Sequence, residues 1–312
     1  MKRDNLIPFT PENTQGLLSK YINNFSRPLP NNWFLNPINL YNGSYKYFES
    51  DDCLTIFKDK LMYGKPVTYL VGAPYHYAGD KETELYLLKH IAEDCDIALP
   101  DYELQYYGIK SSSEKPYWEF IYKASDYTED MGGKKNKMWR KSINHMVDAQ
   151  IKVSFFTGAL PFLASNNINQ LMSEWKSERK NKGVANHSRW YLPSINQTKD
   201  KLVILYKLGN KPIAYDYSVL VGNTVYFLDG KISRHESVPD DLDRAFHITA
   251  INEWAKIIGH RDFFINTGLG DKPYTQDGKV YDLDQHKKLL RPHIISNYNK
   301  IRKGDLCLTQ IN

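Results

Sequence analysis

The clearest candidate for a ligand-binding surface in the sequence is a basic segment near the middle of the chain, residues Lys134–Lys141. Five of its eight residues are cationic: Lys134, Lys135, Lys137, Arg140 and Lys141. The segment spans about two turns of a helix, so several of these cations must share one face. Such a face can neutralise phosphates while the indole of Trp139 stacks on a base or covers a ligand. The alternative is a solvated basic helix whose Trp139 packs inward.

A second group of titratable side chains follows the dipeptide Asp229-Gly230 and consists of Asp229, Arg234, His235 and Glu236. A base that takes a proton from an attacking group needs a carboxylate or an imidazole, so Asp229, Glu236 or His235 can serve as a general base. Arg234 can bind a negatively charged part of a substrate. The alternative is an ordinary polar loop.

Four further candidates lie in the last fifty residues. The amide of Asn266 can orient an acyl carbonyl or an acceptor, or it can simply form a turn before Gly268. Lys287 can bind a phosphate or an oxyanion, and His286 can act as a base near neutral pH. For both, the alternative is an exposed helix surface. Tyr298 can protonate a leaving group.

Other catalytic motifs are absent from the sequence. It contains no P-loop, no G-x-S-x-G, no H-E-x-x-H and no Cys/His set with metal-ligand spacing. We therefore expect no metal and no tightly bound cofactor. Three scattered cysteines are typical of a reducing compartment, and the basic N-terminus lacks the apolar stretch of a signal peptide. We expect a cytoplasmic protein.

The composition is that of an ordinary globular protein of 312 residues, long enough for about two domains. Hydrophobic residues make up 41% and charged residues 25%, which excludes disordered, collagen-like and small disulfide-rich classes. The net charge of +5 permits a polyanionic partner without requiring one. No run approaches about 18 consecutive apolar residues, so we expect no integral membrane contact, only peripheral contact if any.

The elements that must position these residues alternate between strands and helices. In the second half, the pattern predicts strands at Leu202–Leu208, Pro212–Val221, Thr224–Leu228 and Phe263–Asn266, and helices at Asp240–Ile258 and Asp282–Leu290. Turns rich in Gly and Asn join the first three strands, as in antiparallel hairpins.

The first half repeats this order. Thr10 can cap a first helix that begins at Pro11. Strands are predicted at Tyr45–Glu49, Leu54–Lys58, Pro66–Gly72, Asp101–Tyr107, Trp118–Tyr122 and Lys152–Phe156, and helices at Lys81–Glu93, within Asp126–Met146, and at Asn166–Lys180. We expect two domains, residues 1–150 and 151–312.

Two stretches of the second half resemble the GNAT acyltransferase fold. LVILYKLGNKPIAYDYSVLVGNTVYFLDGKIS is similar to its meander, and DDLDRAFHITAINEWAKIIGHRDFFINTG is similar to its central helix and fifth strand. The first half resembles the tandem GNAT domains of bacterial phosphatidylglycerol lysyltransferases and their soluble relatives. The matching positions are Gly133, Lys134, Lys135, Arg140 and Asn144, followed later by Asn266, Gly268, Leu269, Lys287 and Pro292.

This resemblance implies an α/β (α+β) fold of tandem GNAT-like domains, with mixed, mostly antiparallel sheets flanked by helices, the C-terminal domain being catalytic. It implies an acyltransferase with acyl-CoA or aminoacyl-tRNA as co-substrate, so that a phosphate-bearing donor is the expected partner. The glycine-rich pyrophosphate loop of acetyl-CoA enzymes is replaced by KISRHESVPDD, whose two final acids would repel a pyrophosphate. That departure favours an aminoacyl donor. The alternative is a GNAT-like protein, such as a viral one, that binds or modifies nucleic acid.

Overall fold

The computed structural model describes residues 5–22, 27–29, 45–62, 65–109, 118–128, 131–181, 200–233, 238, 242–269, 274–276, 279–281, 287–288 and 290–304. The chain divides into two compact units, and each unit is built from separate stretches of sequence. Unit one comprises Met1–Tyr122, Val221–Tyr226 and Phe264–Asn312, and unit two comprises Lys123–Leu220 and Phe227–Phe263.

The strands and helices, numbered along the chain, follow the predicted alternation. The strands are β1 Ile7–Pro8, β2 Tyr45–Ser50, β3 Cys53–Met62, β4 Lys65–Val71, β5 Tyr75–His76, β6 Asp96–Pro100, β7 Trp118–Lys123, β8 Ile151–Phe156, β9 Lys201–Leu208, β10 Lys211–Val221, β11 Thr224–Ile232, β12 Phe264–Leu269, β13 Tyr274–Gln276, β14 Lys279–Tyr281 and β15 Ile294–Ile301. The helices are α1 Pro11–Ile22, α2 Lys81–Ala92, α3 Asp101–Tyr107, α4 Lys137–Asp148, α5 Phe162–Asn181 and α6 Asp243–Ile258.

Unit one is a mixed sheet in which the last strand of the chain fills a central gap. Its strand order is β1-β2-β3-β4-β6-β15-β7-β12-β11, and the parallel pairs are β4 with β6 and β11 with β12. One half of β15, Ile294–Asn297, pairs with β7, and the other half, Tyr298–Ile301, pairs with β6. The core of this unit forms where α2 lays Leu88 and Ile91 against the sheet.

Two helix starts in unit one have side-chain caps, and the one at Thr10 is the cap that the sequence predicts. Thr10 and Asn13 cap the start of α1 reciprocally, each accepting the backbone N–H of the other. Asp80 accepts the N–H of Glu82 at the start of α2. These caps satisfy N–H groups that have no partner within the helix.

Unit two is an antiparallel meander with helices packed against it, in the strand order β11-β10-β9-β8. Helix α6 buries Phe246 and Trp254. The ring of Tyr206 on β9 stacks on Phe246 at 3.9 Å, and the indole N–H of Trp254 donates to Ser218 Oγ on β10 at 2.7 Å. These contacts fix α6 across β9 and β10.

The predicted α+β class, with mixed, mostly antiparallel sheets flanked by helices, is confirmed. One predicted strand is wrong, because Asp101–Tyr107 forms helix α3. Its polar and apolar residues alternate like a strand, but Pro100 precedes it, acids occupy its first turn, and Gly108 ends it with a φ of 72°. Of the predicted helix Asp282–Leu290, only residues 287, 288 and 290 lie within the described part.

Candidate functional site

A buried polar cluster in unit one consists of Glu119 on β7, Asn266 on β12 and Lys287. Asn266 is the last residue of β12 that pairs with β11, opposite Tyr226, although both strands continue further. Its Nδ2 donates to Glu119 Oε1 at 2.7 Å, and its Oδ1 accepts the N–H of Gly268 at 2.8 Å. Gly268 has a φ of 77°, a conformation that favours glycine. Asn266 therefore shapes the backbone where the strand pairing ends.

The ammonium group of Lys287 is directed at that same backbone. Its Nζ donates to the carbonyls of Thr267 at 2.7 Å and Gly268 at 3.2 Å, and it lies 5.6 Å from the ring centre of Phe120. The side chain is buried. Lys287 therefore stabilises the carbonyls that follow Asn266, rather than lying on an exposed helix surface.

Glu119 is the member of this cluster that the sequence analysis missed. Burial raises the pKa of its carboxyl to about 8, against the opposing effect of hydrogen bonds from Asn266 and Tyr102 and of the nearby Lys287 charge. A carboxyl with such a pKa can give or take a proton near neutral pH. The available signal was a single acid, Glu119, at the second position of the mostly apolar strand Trp118–Lys123.

A short stretch of the N-terminal region, Arg27–Leu29, is hydrogen-bonded to this cluster. The backbone of Leu29 accepts from Asn266 Nδ2 at 3.4 Å and donates to Thr224 Oγ1 at 3.0 Å. The guanidinium of Arg27 forms a buried network with side chains of α2 and α3, and its partners are Glu84 at 3.1 Å, Glu103 at 3.1 Å, the Tyr107 hydroxyl at 2.8 Å and the Tyr106 ring at 3.9 Å. Arg27 thus fixes the stretch that contacts Asn266.

A carboxylate cluster in unit two consists of Asp216 on β10 and Asp243 at the start of α6, on the face of the sheet where Tyr206 stacks on Phe246. Asp229 on β11 lies on the opposite face, beside Tyr215 and helix α5. Asp229, the predicted base, accepts from the Tyr215 hydroxyl at 2.5 Å and forms a short ion pair with Lys231. These two partners hold the Asp229 carboxylate in one orientation.

Asp216 lies deeper in the carboxylate cluster. Burial raises the pKa of Asp216 to about 7, and the neighbouring Asp243 and Asp229 charges raise it further. Gly230 leaves the space that the Asp216 carboxylate fills, because a Cβ at Gly230 would lie 2.5 Å from Asp216 Oδ1. The glycine at this position therefore makes room for a buried acid.

The first turn of α6 carries Asp243. The N-cap residue Leu242 makes no side-chain cap, and Ser142 Oγ on α4 accepts the N–H of Ala245 at 3.0 Å. A helix N-terminus is otherwise a favourable place for a phosphate, since unpaired N–H groups and the helix dipole attract anions. Here the carboxylate cluster opposes that attraction. The arrangement suits a cationic group better than a pyrophosphate.

The basic segment divides into buried and exposed residues in the structure. Trp139 is 1% exposed and packs edge-on against Tyr127 at 5.4 Å, and the Arg140 guanidinium donates to the carbonyls of Met131 and Gly133, both at 2.7 Å. Lys134, Lys137 and Lys141 are exposed. The indole and the guanidinium thus hold the helix and its preceding loop, while the lysines face solvent.

Several predicted site residues lie outside the described part of the chain. They are the whole residues Arg234, Glu236 and His286 and the side chains of Lys135 and Tyr298. The backbone of Tyr298 pairs with Pro100 in β15. Within the described residues, no group of three or more His, Cys, Asp or Glu side chains can hold a metal ion, and no helix is long and apolar enough to cross a membrane.

Comparison with known proteins identifies the fold. The sequence matches no protein-family model and no curated protein. The structure is similar to L-PGS from Bacillus licheniformis, with a TM-score of 0.65 and 15% identity over 97% of this chain and 95% of that one. It is similar to the C-terminal domain of a putative lysylphosphatidylglycerol synthetase from Agrobacterium fabrum, with a TM-score of 0.64 and 12% identity over 96% and 95%.

FemX gives a TM-score of 0.55 at 12% identity, over 97% of this chain and 96% of that one. At identities this low the likeness concerns the fold alone. The chain therefore has the tandem GNAT-like fold of these structures, as the sequence resemblance predicted.

Proposed function

We propose that this protein is an acyltransferase that moves an aminoacyl group from an activated ester, such as aminoacyl-tRNA, to an amine or hydroxyl acceptor. The fold, which it shares with a lysylphosphatidylglycerol synthetase domain, supports a transferase. The preference for an aminoacyl donor over acyl-CoA depends on one observation, the carboxylate cluster of Asp216 and Asp243 at the start of α6.

The physical argument concerns charge. A coenzyme A donor brings a pyrophosphate, which the carboxylate of Asp243 repels, as does that of Asp216 once it is ionised. An aminoacyl group brings an ammonium group, which the same carboxylates attract. Since charges attract more strongly in a partly buried site than in water, this difference discriminates between the two donors.

In the proposed reaction the acceptor nitrogen or oxygen attacks the ester carbonyl carbon, and the bond from that carbon to the donor oxygen breaks. The acceptor proton passes to a carboxylate, for which Asp229 is the candidate because Tyr215 and Lys231 orient it. The donor oxygen takes up a proton as it leaves. Roles for Glu236 and Tyr298 in this chemistry stay predictions.

Asn266, Glu119 and Lys287 are proposed as positioning residues of unit one. Their polar atoms bond to one another and to the backbone after Asn266, so they set the course of β12. Substrate-binding roles for Arg234, His286 and the lysines of the basic segment also stay predictions.

The test supplies tRNA charged with a labelled amino acid, or a labelled acyl-CoA, together with amine and hydroxyl acceptors. We expect label to leave the aminoacyl-tRNA in the presence of an acceptor, and Asp229→Asn to slow this transfer by about 100-fold or more. Asp262→Asn, an exposed carboxylate in the same unit, is the matched control. Consumption of acyl-CoA without any transfer from aminoacyl-tRNA would contradict the proposal.

The same assay has an expected pH dependence. Asp216 gains its negative charge as the pH rises through about 7, so recognition of a cationic aminoacyl group strengthens over that range. We expect the Michaelis constant for the aminoacyl donor to fall between pH 6 and 8, roughly in inverse proportion to the ionised fraction of Asp216. In Asp216→Asn this fall should vanish, whereas an unchanged pH profile would remove Asp216 from donor recognition.

A further inference from the structure

Strand β8 is the outer strand of the unit-two sheet. It pairs with β9 on one side, and within the described part of the chain no strand pairs with its other side. Natural edge strands are usually covered, or they carry charges, prolines or bulges that prevent pairing with other chains. Over the six residues Ile151–Phe156 the only charge is Lys152, and the strand has no proline and no shift of register. This edge of the sheet can therefore accept one further strand.

The pairing register assigns the side chains of β8 to the two faces of the sheet. Residues directly opposite each other in an antiparallel pair share a face. Ser154 is opposite Leu205, and Leu205 is opposite Tyr215, whose hydroxyl contacts the Met172 sulfur of α5 at 2.7 Å. Because side chains alternate along a strand, every second residue of β8 shares this α5 face. These residues are Lys152, Ser154 and Phe156.

Two lysines lie side by side on the α5 face. Lys152 is exposed and is directly opposite the half-buried Lys207 of β9. Like charges in directly opposed positions repel each other. Neither ammonium group forms an ion pair with a described residue, and the next residue of the same row, on β10, is Pro212. An added strand would place a side chain opposite Lys152, and a carboxylate there would offset the repulsion.

The start of helix α5 adds apolar surface at the same edge. Five residues link β8 to α5, which then crosses its face of the sheet towards β11. Met172 contacts β10, and the ring of Trp175 lies 4.7 Å from the ammonium group of Lys231 on β11. The first turn of the helix therefore lies at the β8 side of the sheet. There Phe162 is 77% exposed and Leu163 is 73% exposed, so both are available to a strand that pairs with β8.

We infer that the open edge of β8 is a docking site for an extended, acidic peptide segment of a partner protein, which joins the sheet of unit two as a further strand. Main-chain hydrogen bonds to β8 supply affinity in this mode of binding, and alternate side chains supply specificity. The segment carries an acid opposite Lys152 and an apolar side chain that packs on Phe156, Phe162 and Leu163. The docking site needs no part of the proposed transfer reaction.

A second copy of this chain is the competing occupant, and charge decides between the two. Each copy carries the same lysines and a net charge of +5. Pairing of β8 with β8 would therefore bring further positive charge to a pair of lysines that already repel each other. An acidic segment neutralises that charge instead.

The experiment titrates a fluorescein-labelled peptide, acetyl-LITVEVE-amide, with the full-length protein and measures fluorescence anisotropy. In antiparallel pairing its leucine lies opposite Phe156 and its first glutamate lies opposite Lys152. We expect binding that weakens as salt is added, and slower hydrogen exchange of the backbone amides of residues 151–156 in the complex. Two control peptides should bind at least about 10-fold more weakly: LITVKVK, which reverses the charge, and LITVEVE with its central backbone nitrogens methylated.

Variants of the protein separate the contributions of charge and apolar contact. Lys152→Glu should weaken binding of LITVEVE about 5-fold and strengthen binding of LITVKVK, and Phe162→Ser/Leu163→Ser should weaken binding of LITVEVE about 10-fold. Lys89→Glu and Tyr86→Ser, which alter exposed residues of unit one, should bind like the wild type.

Melting temperatures should confirm that all variants are folded. Three results would overturn the inference: absence of binding to LITVEVE, unchanged hydrogen exchange at residues 151–156 when the peptide binds, or a dimer of the wild type that protects the same amides without peptide.

Discussion

Asn266 and Lys287 have the residue types of catalytic groups, yet their polar atoms are directed inward. The Asn266 amide bonds to Glu119, Leu29 and Gly268, and the Lys287 ammonium bonds to two backbone carbonyls. Replacing either side chain would leave buried polar atoms unsatisfied, at a cost of about 1–3 kcal/mol for each atom. Loss of activity in such variants must therefore be compared with loss of stability before a direct role in chemistry is assigned.

Glu119 gives a pH-dependent prediction for Glu119→Gln. Because the pKa of the buried carboxyl is raised to about 8, the folded state keeps a proton that the unfolded state releases above about pH 4.5. The free energy of unfolding of the wild type should therefore fall by about 1 kcal/mol per pH unit between roughly pH 5 and 8. Glutamine keeps the acceptor for Asn266 and does not titrate. The stability of the variant relative to that of the wild type should therefore increase as the pH rises.

The measurement is chemical unfolding at several pH values for the wild type and Glu119→Gln. The exposed Glu93→Gln is the control, and its curve should parallel that of the wild type. Parallel curves for Glu119→Gln and the wild type would show that Glu119 is ionised throughout this range.

Arg140 gives a prediction about stability. Its guanidinium donates to two carbonyls of the loop before α4, and this loop contains Met131 with a φ of 47°. Arg140→Ala should lower the free energy of unfolding by about 1–2 kcal/mol, and Arg140→Lys should restore little of it, since an ammonium group cannot reproduce the planar fork. Lys137→Ala, one turn away and exposed, should change it by less than about 0.5 kcal/mol. Equal stability of Arg140→Ala and the wild type would contradict this.

Sequence reasoning identified part of the candidate site and missed the rest for a physical reason. Asn266, Lys287 and Asp229 were found because they lie near recognisable turns or match a family pattern. Glu119 and Asp216 were missed, because each is a single acid within a strand that gives no local sign of its partners. Residue type is local information, whereas burial depends on residues distant in sequence.

At the scale of elements, local signals predicted most helices and strands but not the strands β6 and β15, nor the short strands β1, β5, β13 and β14. Helix α3 was predicted as a strand because its alternating residues matched a two-residue period, although its caps were those of a helix. Strand β15 has the polar sequence IISNYNKI and directly follows Pro292 and His293. Its formation depends on the unpaired edges of β6 and β7, which no local pattern reveals.

The network around Arg27 gives a prediction about how elements are joined. Arg27 bridges Glu84 of α2 and Glu103 of α3, both fully buried. Arg27→Met would leave two carboxyls without their cation and should cost about 3–5 kcal/mol near neutral pH. Because protonation removes the unpaired charges, the loss should shrink as the pH is lowered.

Unfolding of Arg27→Met at pH 7 and pH 5 tests this prediction. Adding Glu103→Gln to the variant should recover part of the loss, since one buried charge is then removed. Lys20→Met, which breaks an exposed pair with Glu49, should leave stability unchanged. A loss in Arg27→Met that is independent of pH would indicate that packing, not charge, causes it.

At the scale of the whole molecule, the units and the sequence halves do not coincide. Strands β12 and β15 come from the second half of the sequence but pack in unit one, while all of unit two lies between residues 123 and 263, interrupted only by residues 221–226 of unit one. A fragment of residues 123–263 should therefore unfold more cooperatively than a fragment of residues 151–312. Thermal unfolding of both fragments measures this, and a more cooperative 151–312 fragment would support the domain boundary near residue 150 that the sequence predicts.

The position of β15 also constrains how the protein is made. Strands β6 and β7 leave the ribosome early, but the strand that joins them is about 200 residues further along the chain. At an elongation rate of about 5–20 residues per second, the nascent sheet has two unpaired strand edges for roughly 10–40 s. Open strand edges attract other chains, so this interval is when association with neighbouring polypeptides competes with native folding. Cells should therefore yield less aggregated product when the segment between β7 and β15 is synthesised quickly, or when a chaperone covers those edges until Ile294–Ile301 emerges.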